Sequence, residues 1–137
     1  MTDPGSSASD SVLPILSVFL ACEAPYETAS FFVETLGWRL AFATPRDGDD
    51  KMACVALGDA EVMLGTADEQ YLPAASREHR GAGVTVYLKV DGIDGIWARH
   101  QAAGVTTTEL SARPWGERAF VAVIAGYRFL IAEEAPT

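Results

Sequence analysis

Few side chains in this 137-residue sequence are spaced for covalent chemistry. The two histidines, His79 and His100, fall in a polar stretch and in a segment of helical periodicity, away from the β-compatible runs, and read as structural. A nucleophile needs a base within hydrogen-bond reach, and Ser17, Cys22, Cys54 and Thr85 have no histidine near them. No Gly-x-Ser-x-Gly elbow and no Walker-type glycine loop occurs. Cys22 and Cys54 sit in apolar runs without Cys-x-x-Cys or Cys/His spacing, so neither a disulfide framework nor a zinc site is signalled, and both read as reduced core residues. The distinctive chemistry is aromatic. Trp115 lies between Pro114 and Gly116, Tyr71 interrupts a polar stretch just before Pro73, and Trp38 follows Gly37. An aromatic ring in a loop stacks on a flat or cationic group for roughly 0.5 to 2 kcal/mol. The competing reading of Trp38, Trp97 and Trp115 is plain core packing.

Nineteen acidic residues against ten basic ones give a net charge of -9, which argues against nucleic acid and anionic membrane surfaces as partners. The same charge welcomes a cationic ligand or serves only solubility. The apolar run at residues 12–22 is preceded by Asp3 and Asp10 and by no Lys or Arg, which is unlike a secretion signal. It is also short of the about 20 residues a membrane helix needs, so a cytoplasmic protein is expected.

The elements that must carry these side chains come in a repeated order. Residues 14–22 are β-compatible, and Pro25 opens a segment in which Tyr26, Ala29, Phe32, Val33 and Leu36 recur at helical spacing up to Gly37. Strands follow at residues 38–44, 51–57 and 61–64, separated by turn residues. Residues 65–83 read as a polar connector. The order then repeats: a strand at 84–90, a helix at 91–103 ending at Gly104, and strands at 105–110, 118–124 and 127–132. The expected fold is α+β, two tandem β-α-β-β-β modules (12–66 and 83–134) joined by a connector (67–82) and preceded by a flexible tail (1–11). Each four-stranded sheet has one helix to cover it, so a concave face of each is left over as a ligand cleft.

Leu36-Gly37-Trp38 after the first helix, Ala102-Ala103-Gly104 after the second and Arg113-Pro114-Trp115-Gly116 before a Phe-containing strand resemble the vicinal oxygen chelate superfamily. It comprises glyoxalases, extradiol dioxygenases, fosfomycin-inactivating enzymes and bleomycin-resistance proteins, and the resemblance spans residues 14–134. It implies that metal ligands, where a member has them, stand at Ser17 and near Thr85, Met63 and Leu130. Hydroxyl, thioether and alkyl groups replace the expected His and Glu there, and the polar neighbours are only Glu61 and Arg128. No metal, no cofactor and no catalytic residue is therefore expected. The resemblance to bleomycin-resistance proteins implies a homodimer that sequesters or carries a hydrophobic or planar ligand, with Trp38, Met63, Tyr71, Trp115 and Phe129 as the binding candidates. The alternatives are a superfamily enzyme, either a metal-dependent lyase or dioxygenase with diverged ligands or a metal-free isomerase or cyclase using a carboxylate such as Glu61, and a pure interaction module with a filled cleft.

Overall fold

A computed structural model describes residues 16–135. The first module runs β1 (Val18–Cys22), α1 (Pro25–Ser30), β2 (Arg39–Ala43), β3 (Met52–Leu57) and β4 (Ala60–Thr66). The second runs β5 (Thr85–Lys89), α2 (Ile93–Ala102), β6 (Ser111–Ala112), β7 (Glu117–Ile124) and β8 (Tyr127–Glu134). Each module is one four-stranded mixed sheet, ordered β1-β4-β3-β2 in the first and β5-β8-β7-β6 in the second. The first strand pairs in parallel with the last, and the remaining pairs are antiparallel. The α+β fold and the repeated order are thus as the sequence implies. The expected tail, residues 1–11, and the start of the first strand lie outside the described residues.

Local chemistry explains the elements. Pro25 sits in the first turn of α1, where its missing N–H is no loss, and Glu27 there complements the helix dipole. The helix widens into a π turn at Phe31–Thr35 and stops at Gly37, whose φ of 85° is left-handed. Gly104 ends α2 the same way at φ 76°. Alternation then assigns each strand two faces: in β5, Val86 and Leu88 are buried while Thr85, Tyr87 and Lys89 are exposed.

Two expectations need correction. Residues 105–110 do not form a regular strand. They run beside β7 with a single bridge, Thr106 to Ala122, and the ladder is confined to Ser111–Ala112. The Thr108 hydroxyl accepts the Val121 N–H at 2.9 Å, a place in the ladder that a backbone carbonyl would otherwise fill. The connector, read as structureless, holds a 3-10 helix at Ala74–His79, too short to show a period.

The covered faces of both sheets share one core. Phe32, Trp38 and Phe129 meet edge-on with ring centres 4.8 to 6.1 Å apart. Arg99 of α2 donates to the carbonyls of Thr35 (3.1 Å) and Glu34 (3.0 Å), capping the end of the first helix from the other module. Among the described residues no helix is long and apolar enough to cross a membrane.

Candidate ligand-binding site

The side of each sheet turned away from the core is open. On the second sheet, Tyr87 is paired with Leu130 and Leu130 with Val121, so strand periodicity puts Glu117, four residues before Val121, on the same face as Tyr87 and Lys89. Trp115 reaches that face from the turn between β6 and β7. The turn is closed by the Arg113 N–H to the Glu117 carbonyl (2.7 Å) and the Gly116 N–H to the Arg113 carbonyl (3.1 Å), and Gly116 supplies its φ of 93°.

Glu117 organises this cluster. It is 5% exposed, yet it is a carboxylate on an open face. Its Oε1 accepts the Tyr87 hydroxyl and the Trp115 indole N–H, the latter at 2.5 Å. Lys89 Nζ lies 3.6 Å from its Oε2 and 3.7 Å from a carboxylate oxygen of Glu134. The Tyr87 hydrogen bond, followed by that of Trp115 and the nearby Lys89 charge, holds the Glu117 carboxyl below the ordinary carboxylate range. The same bond pushes the Tyr87 phenol up, and Glu134 and then Glu117 raise the Lys89 ammonium. The result is two rings fixed at their polar edges and open at their faces: Trp115 is 56% and Tyr87 49% exposed.

Tyr87 also lines a trough of about 700 Å3 between the modules, together with Ser17, Glu61 and Thr85. The volume is that of a site for a drug-sized molecule. On the first sheet's open face, Met63 is in register with Phe19, and the Phe19 ring lies over Gly65, where any Cβ would collide with it. Phe19 in turn meets Tyr71 of the connector at 5.7 Å between ring centres.

Of the five binding candidates, Met63 and Tyr71 therefore flank Phe19, and Trp115 stands on the second open face. Trp38 and Phe129 do not reach either open face. They are 2% and 0% exposed and belong to the core on the opposite side of the sheets. Trp97 packs on Phe120 at 5.3 Å, and His79 is exposed in the connector. Glu117, Tyr87 and Phe19 were not singled out from the sequence. The one readable signal was a charged residue two positions after Trp115, at the head of an apolar strand.

The trough brings together Ser17 and Thr85, which the resemblance sets at or near metal-ligand positions. The donors do not fit such a centre: two hydroxyls and the carboxylates of Asp59 and Glu61 line the trough without a histidine, Met63 and Leu130 supply a thioether and an alkyl group, and among the described residues no three His, Cys, Asp or Glu side chains converge. The Cys54 thiol points to Glu61 Oε1 at 3.9 Å, and burial pushes the Cys54 and Cys22 thiols up, so both are poor nucleophiles.

The chain belongs to the Glyoxalase/Bleomycin resistance protein/Dioxygenase superfamily, whose pattern it matches over residues 15–131. It is similar to TioX from Micromonospora sp. ML1, with 24% identity and a TM-score of 0.67 over 87% of this chain and 97% of that one. It is similar also to TnmS3, an antibiotic binding protein from Streptomyces sp. CB03234, with 25% identity and a TM-score of 0.60 over 90% of this chain and 100% of that one. A fosfomycin resistance protein, FosX from Listeria monocytogenes, shares the fold at 14% identity and a TM-score of 0.64, over 92% of this chain and 94% of that one. No curated protein matches the sequence.

Proposed function

We propose that this protein is a small-molecule-binding member of the superfamily that sequesters or carries a hydrophobic, planar ligand such as an antibiotic, without transforming it. The observation that carries the reading is the pair of half-exposed rings, Trp115 and Tyr87, held by one buried carboxylate beside a trough of about 700 Å3. Rings already fixed before a ligand arrives lose little side-chain freedom on binding, which favours stacking of a rigid planar molecule. The likeness to an antibiotic binding protein supports the same class of ligand.

The working unit in this reading is a homodimer. Phe19, Phe42, Tyr87 and Trp115 are each more than 40% exposed, and a second copy lying over the open faces would bury such apolar surface and deepen the cleft. The test is a titration of planar aromatic antibiotics followed by tryptophan fluorescence. The reading expects saturable quenching that weakens at least about tenfold in Trp115→Ala. Quenching unchanged by that substitution removes Trp115 from the site, and no saturable binding by any compound of the series overturns the reading.

A further inference from the structure

We infer that Glu117 and Lys89 form a charge filter in this site, in which Lys89 is a weakly held internal cation that a cationic planar ligand displaces. The inference rests on the planar-ligand reading and adds the charge of the ligand and the residues that read it.

The two oxygens of the Glu117 carboxylate are not equivalent. Oε1 carries two donors, the Tyr87 hydroxyl and the Trp115 indole N–H. Oε2 has Lys89 at 3.6 Å, beyond hydrogen-bond distance. Among the described residues no donor lies within hydrogen-bond distance of Oε2, so this oxygen keeps its lone pairs for an incoming N–H. The ammonium that compensates it is 61% exposed at its side chain and is shared with Glu134 at 3.7 Å. Only the Lys89 end of the pair is exposed, and at 3.6 and 3.7 Å it makes no direct hydrogen bond to either carboxylate, so a cation that does bond to Oε2 competes with it while Lys89 turns to Glu134.

The carboxylate that Lys89 leaves is the one that holds both rings. A ligand that stacks on Trp115 or Tyr87 and carries an amino or amidinium N–H at its edge meets the Oε2 lone pairs with a direct charge-assisted hydrogen bond. A neutral planar molecule gains the stacking but has nothing with which to replace Lys89. The net charge of -9 draws the same cations toward the protein over a longer range.

The test compares two tricyclic probes of the same outline, the cation proflavine and the neutral acridone, and reads the ratio of their affinities. In Lys89→Met the internal competitor is gone, and the ratio of proflavine to acridone affinity is expected to rise several-fold. In Glu117→Gln the amide oxygen still accepts from Tyr87 and Trp115 while the charge is lost, and the ratio is expected to fall about tenfold. Lys89 is exposed, so its variant keeps the fold and carries the test if Glu117→Gln is unstable. A ratio that Lys89→Met leaves unchanged or lowers overturns the charge filter while planar binding stands. Failure of the wild-type protein to bind either probe overturns both.

Discussion

Trp38, just after the first helix, donates its indole N–H to His100 Nε2 on the second helix at 3.1 Å, across 62 residues of sequence and inside the core the two modules share. An indole N–H only donates, so Nε2 must accept, and the ring hydrogen sits on Nδ1, 2.7 Å from the Ile96 carbonyl. Both nitrogens are satisfied only in the neutral ring. Burial, the leading cause, lowers the His100 pKa below its ordinary 6.5.

A pH dependence of stability follows with a definite sign. The unfolded chain takes up a proton on His100 at higher pH than the folded chain, so this contribution is complete above about 6.5 and is lost as pH falls below it. Thermal melts are expected to shift downward through that range, and the shift should be smaller in His100→Gln. His100→Ala, which leaves a cavity and an unpaired Trp38 N–H, should cost about 2–4 kcal/mol in chemical denaturation.

Glu23 titrates at the acid end. The two Arg80 hydrogen bonds, at 2.8 and 2.5 Å, hold its carboxyl down to about 2 and fasten the connector to the end of β1. The stabilisation is complete above the unfolded value of about 4.5 and is lost as pH falls toward about 2. Acid unfolding of Glu23→Gln should therefore begin from a lower stability at neutral pH and converge with the wild type near the acid limit. Parallel acid curves that never converge would contradict this assignment.

Tyr87→Phe removes the largest influence on Glu117. Carboxyl titration by NMR is expected to show Glu117 moving up toward its ordinary value, and the fluorescence anisotropy of Trp115 to fall as its anchor loosens. An unmoved Glu117 would mean that Tyr87 does not bond to it in solution.

Gly65→Ala places a methyl group where the Phe19 ring lies. The ring is the end of a half-exposed side chain and can swing away, so the stability change should stay within about 1 kcal/mol while the Phe19–Tyr71 pair is lost. Loss of the ring-current shift on Tyr71 in NMR spectra is the readout.

The repeat was legible because both modules write it in the same local terms: a period of 3.6 ending at a glycine that must take a left-handed φ, then alternating strands. The fourth strand of the second sheet was not, because Thr108 replaces a backbone partner with a side chain, and that substitution is invisible in a β-branched run. Trp38 lies between helix and strand, where no period states its face. Phe129 could have been placed from parity alone, since Arg128 and Glu134 fall on the opposite face from Phe129 and Ile131. The Glu117 cluster joins residues from β5, β7 and a turn, and only the register of the sheet brings them together.

Native mass spectrometry of the purified protein in the presence of a planar aromatic antibiotic tests binding without transformation most directly, because one spectrum reports subunit count, bound metal and retained organic mass. The account predicts a dimer that carries the unaltered compound and loses it in Trp115→Ala. A chain that holds one divalent metal and releases a compound of changed mass would contradict it.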